Sequence, residues 1–191
     1  HRRCRFFPGT ARIVYLSCVA IYALGNLVPK IHPDAYVHPD ATVIGDVTIG
    51  AGSSVWPSAV IRGDDGAVII GERTSVQDGC VLHTTHEFHT TVGNGVVLGH
   101  LVHLEGCIIE DSCLIGVGAI VLHRVRVGSG AVVAANAVLL NDMVVPAGAL
   151  AVGAPATIKE GGKSRIAMIE LGAASYVERS QRFKDELRRL D

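Results

Sequence analysis

An aliphatic side chain recurs every six residues along most of this chain, and few folds accommodate that period. Starting at Val37 it falls at Val43, Ile49, Val55 and Ile61, resumes at Ile70, Val76 and Leu82, and again at Val92, Leu98 and Leu104. It then runs unbroken through Ile109, Ile115, Val121, Val127, Val133 and Leu139. Two residues before each stands a small or β-branched residue, from Ala41, Val47 and Ser53 through Cys80, Cys107 and Cys113 to Ala131 and Ala137. In extended backbone alternate side chains share a face, so both of these positions point inward and their neighbours point out. An amphipathic helix with its 3.6-residue period does not reproduce a six-residue step. Three hexapeptides close one triangular coil of about eighteen residues, and coils stack at about 4.8 Å. The pattern predicts a mainly β chain: a left-handed parallel β-helix, a three-sided prism of hexapeptide repeats. Only 5% of residues are aromatic while glycine numbers 22, which suits thin coils and tight corners.

The repeat breaks in three places. Three residues are added between Ile61 and Ile70, four between Leu82 and Val92, and one is missing between Leu104 and Ile109. The second insertion, Thr84-Thr85-His86-Glu87-Phe88-His89, must bulge from a corner, where a rigid scaffold tends to carry its site. The repeat is expected to end around Pro146 and Pro155. Gly161-Gly162 then form a hinge, and Ser164 to Leu190 has helical spacing, with Ile166, Ile169, Tyr176, Ser180, Phe183, Leu187 and Leu190 on one stripe. This divides the chain into residues 1–20, 21–160 as the β-helix, and 161–191 as a helical segment packed outside it. Residues 1–20 read as an N-terminal extension or a misplaced start, with Arg2, Arg3 and Arg5 ahead of an apolar stretch that loosely imitates a signal sequence.

Net charge is −1 with no clustering of Lys and Arg, which argues against a nucleic-acid partner. No apolar run approaches the roughly 20 residues that span a bilayer, so no membrane partner is expected. The five cysteines are odd in number and lack CxxC spacing, which points to a reducing, cytoplasmic setting and to interior filling.

Counting coils places the histidines. Ile61, Leu82 and Leu104 fall on one face, so the outward residues after them, Arg62, His83 and Glu105, stack coil above coil. His83 and Glu105 should stand about 4.8 Å apart at the backbone. His100 follows Leu98 on the preceding face and is too far round the corner to join them; a second subunit alongside would close the gap. Catalytic zinc takes three imidazole or carboxylate ligands and leaves a fourth position for water. His83, His100 and Glu105 are therefore candidate metal ligands, with His103, outward and two residues before Glu105, as the competing third ligand. His86 and His89 lie in the bulge, where His86 or Glu87 could relay protons.

Arg62-Gly63-Asp64, Val76-Gln77-Asp78-Gly79, Val81-Leu82-His83, Gly99-His100, Gly106-Cys107 and Gly153-Ala154-Pro155-Ala156 together resemble the γ-class carbonic anhydrases. The resemblance covers about Tyr22 to Glu160, with a tail around Tyr176 similar to the helical end of many relatives. It implies a homotrimer that interconverts CO2 and bicarbonate at zinc, or another divalent metal such as iron or cobalt, held by three histidines across each subunit interface. Two of those ligands map to His83 and His100. The family pattern Leu-His-Gly-Cys reads Leu104-Glu105-Gly106-Cys107 here, so the third has become a carboxylate. The resemblance also implies that Gln77 orients the reacting water, that Arg62 and Asp64 pair at the subunit interface, and that Tyr176 belongs to the catalytic set. An anionic ligand acidifies water less than a third imidazole, so weak turnover is expected. The alternatives are a hexapeptide-repeat acyltransferase and a non-catalytic trimer that binds metal or a small ligand.

Overall fold

The computed structural model describes residues 19–159 and 165–190. The six-residue period closes into a parallel β-helix followed by one helix. Three ladders define the faces of the prism, each traced by the aliphatic one of its inward positions. The first matches Val43, Ile61, Leu82, Leu104, Val121 and Leu139. The second matches Ile31, Ile49, Ile70, Val92, Ile109, Val127 and Val145. The third matches Val37, Val55, Val76, Leu98, Ile115, Val133 and Ala151. Apart from Ile31 and Val37 in the opening coil, every one of these side chains is at most 1% exposed. Burial of one Val, Leu or Ile side chain is worth about 1.5–3 kcal/mol, so stacking supplies what a lone coil lacks.

The period extends further than the sequence reading carried it. Ile31 adds a hexapeptide before Val37, and Val145 and Ala151 add two after Leu139. Pro146 does not interrupt the coil, because Val145 is the last residue of its ladder and no later strand asks for the missing N–H. The strand Leu150–Val152 is then covered by Thr157–Lys159, which turns back and pairs antiparallel to it. At the other end Ala20–Tyr22 pairs with the start of the strand Thr42–Ile49, so the chain has entered the sheet by Ala20. Arg2, Arg3, Arg5, Cys4, Cys18 and the Gly161-Gly162 hinge lie outside the described residues.

The inserted residues sit at corners. Thr42–Ile49 and Val60–Ile70 are long strands that bend from the first face to the second without a break. At the bend Gly45, with φ +80°, lies opposite Gly63, and a Cβ on Gly45 would overlap the Gly63 carbonyl oxygen. The bulge 84–89 is tied to itself by Thr84 Oγ1 donating to the Phe88 carbonyl at 2.7 Å. It is tied to the bend by the Ala67 N–H donating to His89 Nδ1 at 2.8 Å. Cys80, Cys107 and Cys113 are interior filling, their thiols pushed up to about 12 by burial.

The helix Ile166–Glu186 packs on the third face through Ile169, Ala173 and Ser180. Phe183 and Tyr176 meet Trp56 edge-on, at ring distances of 5.0 and 5.7 Å, and Phe183 also meets Tyr36. The expected stripe stops short: the helix ends at Glu186, and Leu187 and Leu190 are exposed. No helix among the described residues is long and apolar enough to cross a membrane.

The helix covers Tyr36, whose hydroxyl has no hydrogen-bond partner among the described residues, and burial pushes its pKa up to about 12. For an acid whose folded pKa is raised, the neutral form carries the stability. That contribution is whole below the ordinary value near 10 and shrinks as pH rises towards 12. Tyr36→Phe is therefore expected to leave stability at pH 8 unchanged or raised by about 1 kcal/mol, and to flatten the loss between pH 10 and 12. Thermal denaturation of both proteins at pH 8 and pH 11 checks this; equal losses at pH 11 would contradict it.

Candidate functional site

The first face carries the cluster the coil count anticipates. Glu105 pairs with His83 across adjacent coils, as Leu104 does with Leu82. With the inner residues locked in the core, both outer side chains project on the same side. His83 Nδ1 stands 2.9 Å from Glu105 Oε1, and His83 Nε2 stands 3.2 Å from Asp64 Oδ1. Asp64 is in turn ion-paired with Arg62, two residues back on the bent strand. A carboxylate only accepts, so a neutral His83 ring donates to one of its two neighbours; the contact to Glu105 is the shorter.

His103 also reaches the cluster. It leaves the strand His103–Glu105 two residues before Glu105, yet its Nε2 lies 3.4 Å from Glu105 Oε2. The two candidates for the third ligand are thus neighbours at the side-chain tips. A third imidazole, which the sequence reading did not single out, comes from the following coil: His123 Nε2 lies 3.7 Å from Glu105 Oε1. Glu105 is held below the ordinary carboxylate range, first by its hydrogen bond from His83, with burial opposing and His103 and His123 adding to the effect. For Asp64 burial pulls upward, but a backbone hydrogen bond, Arg62 and the nearby His83 outweigh it and keep the group low.

Other candidates lie elsewhere. His100 sits at the corner after the third-face strand Val97–Leu98 and pairs with Asp78, its Nδ1 3.0 Å from Oδ2, so within one chain it is apart from His83. Gln77 follows Val76 on that same face and is 5% exposed. Trp56 is its neighbour one coil earlier, since Val55 is matched with Val76. Tyr176 contacts Trp56 and lies beneath the Arg179 guanidinium, 4.7 Å away. In the bulge, exposed His86 pairs with Asp65, and His89 serves the backbone at Ala67. Phe88 covers His123 and Gly106, with the Arg124 guanidinium 4.8 Å from its ring.

These residues offer the donor types that suit a divalent transition metal, imidazole and carboxylate on one outer face. Among the described residues of a single chain, no three of them stand as a ready-made metal site. The donor set fits such a metal in kind, and the missing donor must come from beyond one chain or from a rearranged side chain.

Fold and cluster define a hexapeptide-repeat β-helix bearing a histidine–carboxylate group on one face. The profile of the bacterial transferase hexapeptide (six repeats) matches residues 29–63 and 106–141. A carbonic anhydrase of Geobacillus kaustophilus is 34% identical over 165 residues, covering 86% of this chain and 91% of that protein. The carnitine operon protein CaiE of Salmonella agona is 36% identical over 140 residues, 73% of this chain and 71% of the relative. A solved structure of a Bacillus cereus protein described as an acetyltransferase superposes with a TM-score of 0.85 at 34% identity, covering 88% and 98% of the two chains. This chain belongs to the γ-carbonic anhydrase-like family of hexapeptide-repeat proteins.

Proposed function

We propose that the chain is a metal-dependent γ-carbonic anhydrase-like enzyme that interconverts CO2 and bicarbonate at the subunit interfaces of a homotrimer. The observation that carries this reading is the His83–Glu105 pair, in register on one face, with Asp64 and Arg62 behind it. His83 and Glu105 of one subunit and His100 of a second would hold zinc, iron or cobalt, with His103 the competing third donor. A divalent cation so held lowers the pKa of water and supplies a nucleophile near neutral pH. Asp64 fixes the His83 ring, and Arg62 keeps Asp64 ionised. Gln77, on the adjacent face, orients the water, and the Asp78 carboxylate fixes the ring of His100. Tyr176 approaches the Gln77 ladder through Trp56 and bounds that side of the site.

Glu105 sets the level of activity. Its negative charge would offset part of a bound cation's charge, so the site would acidify water less than three imidazoles would, and slow turnover is expected. Metal analysis, oligomeric mass and stopped-flow CO2 hydration on the purified protein test the reading. A trimer with about one metal per chain and slow hydration, raised in Glu105→His, is expected. A trimer that binds metal without hydrating CO2 would make this a binding protein, and a metal-free protein that transfers an acyl group from CoA would replace the reading altogether.

A further inference from the structure

We propose that His123 is a further ligand of the divalent cation held at Glu105, an imidazole that the next coil supplies where position 105 carries a carboxylate. The inference rests on the metal reading above and adds a residue to it. Its starting point is one buried atom: His123 Nε2 has no hydrogen-bond partner among the described residues. Leaving such a group unpaired costs about 1–3 kcal/mol, which a folded chain rarely retains without a partner to come.

The distance to Glu105 suits a cation as that partner. Nε2 stands 3.7 Å from Glu105 Oε1. A direct hydrogen bond would bring the atoms to about 2.7–3.2 Å. A single bridging water, with two bonds of about 2.8 Å, would hold them about 4.5 Å apart. A cation with bonds of about 2.0–2.2 Å to nitrogen and oxygen spaces its ligands about 3.4 Å apart at the tetrahedral angle and about 3.7 Å at a wider one. The gap is wider than the 2.9 Å contact His83 makes to the same oxygen and leaves room for an ion between His123 and Glu105. Oε1 also faces His83, on the coil before, so the carboxylate oxygen has an imidazole on each side.

The ring of His123 is held for this purpose. A Cβ at position 106 would lie 2.9 Å from His123 Cδ2 and 2.7 Å from the Phe88 Cβ, so Gly106, at φ +59°, leaves the space both rings occupy. Phe88 lies against the imidazole at 6.0 Å and 35°. Arg124 covers Phe88 and is itself paired with Asp142, Nη2 to Oδ2 at 2.8 Å. Bulge, corner and following coil thus fix one ring whose Nε2 faces Glu105. Imidazole and carboxylate together select zinc, cobalt or ferrous iron over magnesium or calcium.

The test titrates Co2+ into the full-length protein after chelator treatment, following the visible d–d absorption, for wild type, His123→Ala and His123→Gln. Both variants are expected to bind Co2+ at least about 10-fold more weakly and to shift the absorption band, with oligomeric mass and circular dichroism kept. Glutamine fills the slot with a poor transition-metal ligand, so it reads the role of the ring even where alanine disturbs the fold. Wild-type affinity and an unshifted band in His123→Gln would overturn the assignment of His123 alone. A wild-type protein that takes up no Co2+ would overturn the metal reading and this inference with it.

Discussion

His83→Ala is expected to purify as a folded β-helix that has lost its metal and accelerates CO2 hydration no more than buffer does. His83 meets both Glu105 and Asp64, and its removal leaves two carboxylates on adjacent coils with no imidazole between them. The loss in metal affinity should exceed the 10–100-fold that follows from disturbing a residue behind the ligands. The fold should hardly respond, because the neighbouring Leu82 is fully buried and keeps the coil in register whatever stands outside it. Metal content, stopped-flow hydration and a thermal melt measured on one preparation decide the matter. Retention of a full complement of metal would remove His83 from the site.

The opposite profile is expected at the bend of the long strands. In Gly45→Ala the new methyl group needs a left-handed backbone and the place of the Gly63 carbonyl oxygen at once. The first requirement costs roughly 1–2 kcal/mol and the second about 1–3 kcal/mol more, a total of about 2–5 kcal/mol. Gly148→Ala separates the two contributions: φ is +69° there, and nothing lies within 4 Å of the added Cβ. It should cost only the first. Urea denaturation of both variants measures the difference, and equal midpoints would mean that the bend has room to spare. Because Arg62 and Asp64 flank Gly63, Gly45→Ala should also loosen the hold on His83.

The interior of this molecule was legible because a six-residue period leaves no freedom in which side chains point inward. Each aliphatic position of the six-residue period from Val37 to Leu139 is buried save Val37, which lies in the opening coil. The ends were harder. Pro146 reads as a terminator in a sequence, yet a proline is harmless where the ladder already stops, and Ala151 is too small to stand out as a core position. The pairing of His83 with Glu105 followed from counting coils, and so did the separation of His100. The reach of side chains did not follow from counting. His103 read as the rival of Glu105, outward and two residues earlier but a strand pitch away along the backbone; the flexible tips nevertheless meet. His123 was missed for a related reason. The residue missing after Leu104 places Val121 opposite it, so His123 begins a corner beyond Glu105's own neighbour and reaches back to touch it.

Inward and outward residues along this prism answer to different demands. Leu104, fully buried, holds the coil, while its neighbours His103 and Glu105 face outward and add only contacts between half-buried side chains. A lineage can therefore rewrite the outer residue, as an imidazole exchanged for a carboxylate would do, with almost no change in folding free energy to select against it. Chemistry on such a scaffold drifts under selection for activity alone. Two relatives of equal thermal stability can then differ completely in what they catalyse, and resistance to heat carries no information about which of them still does.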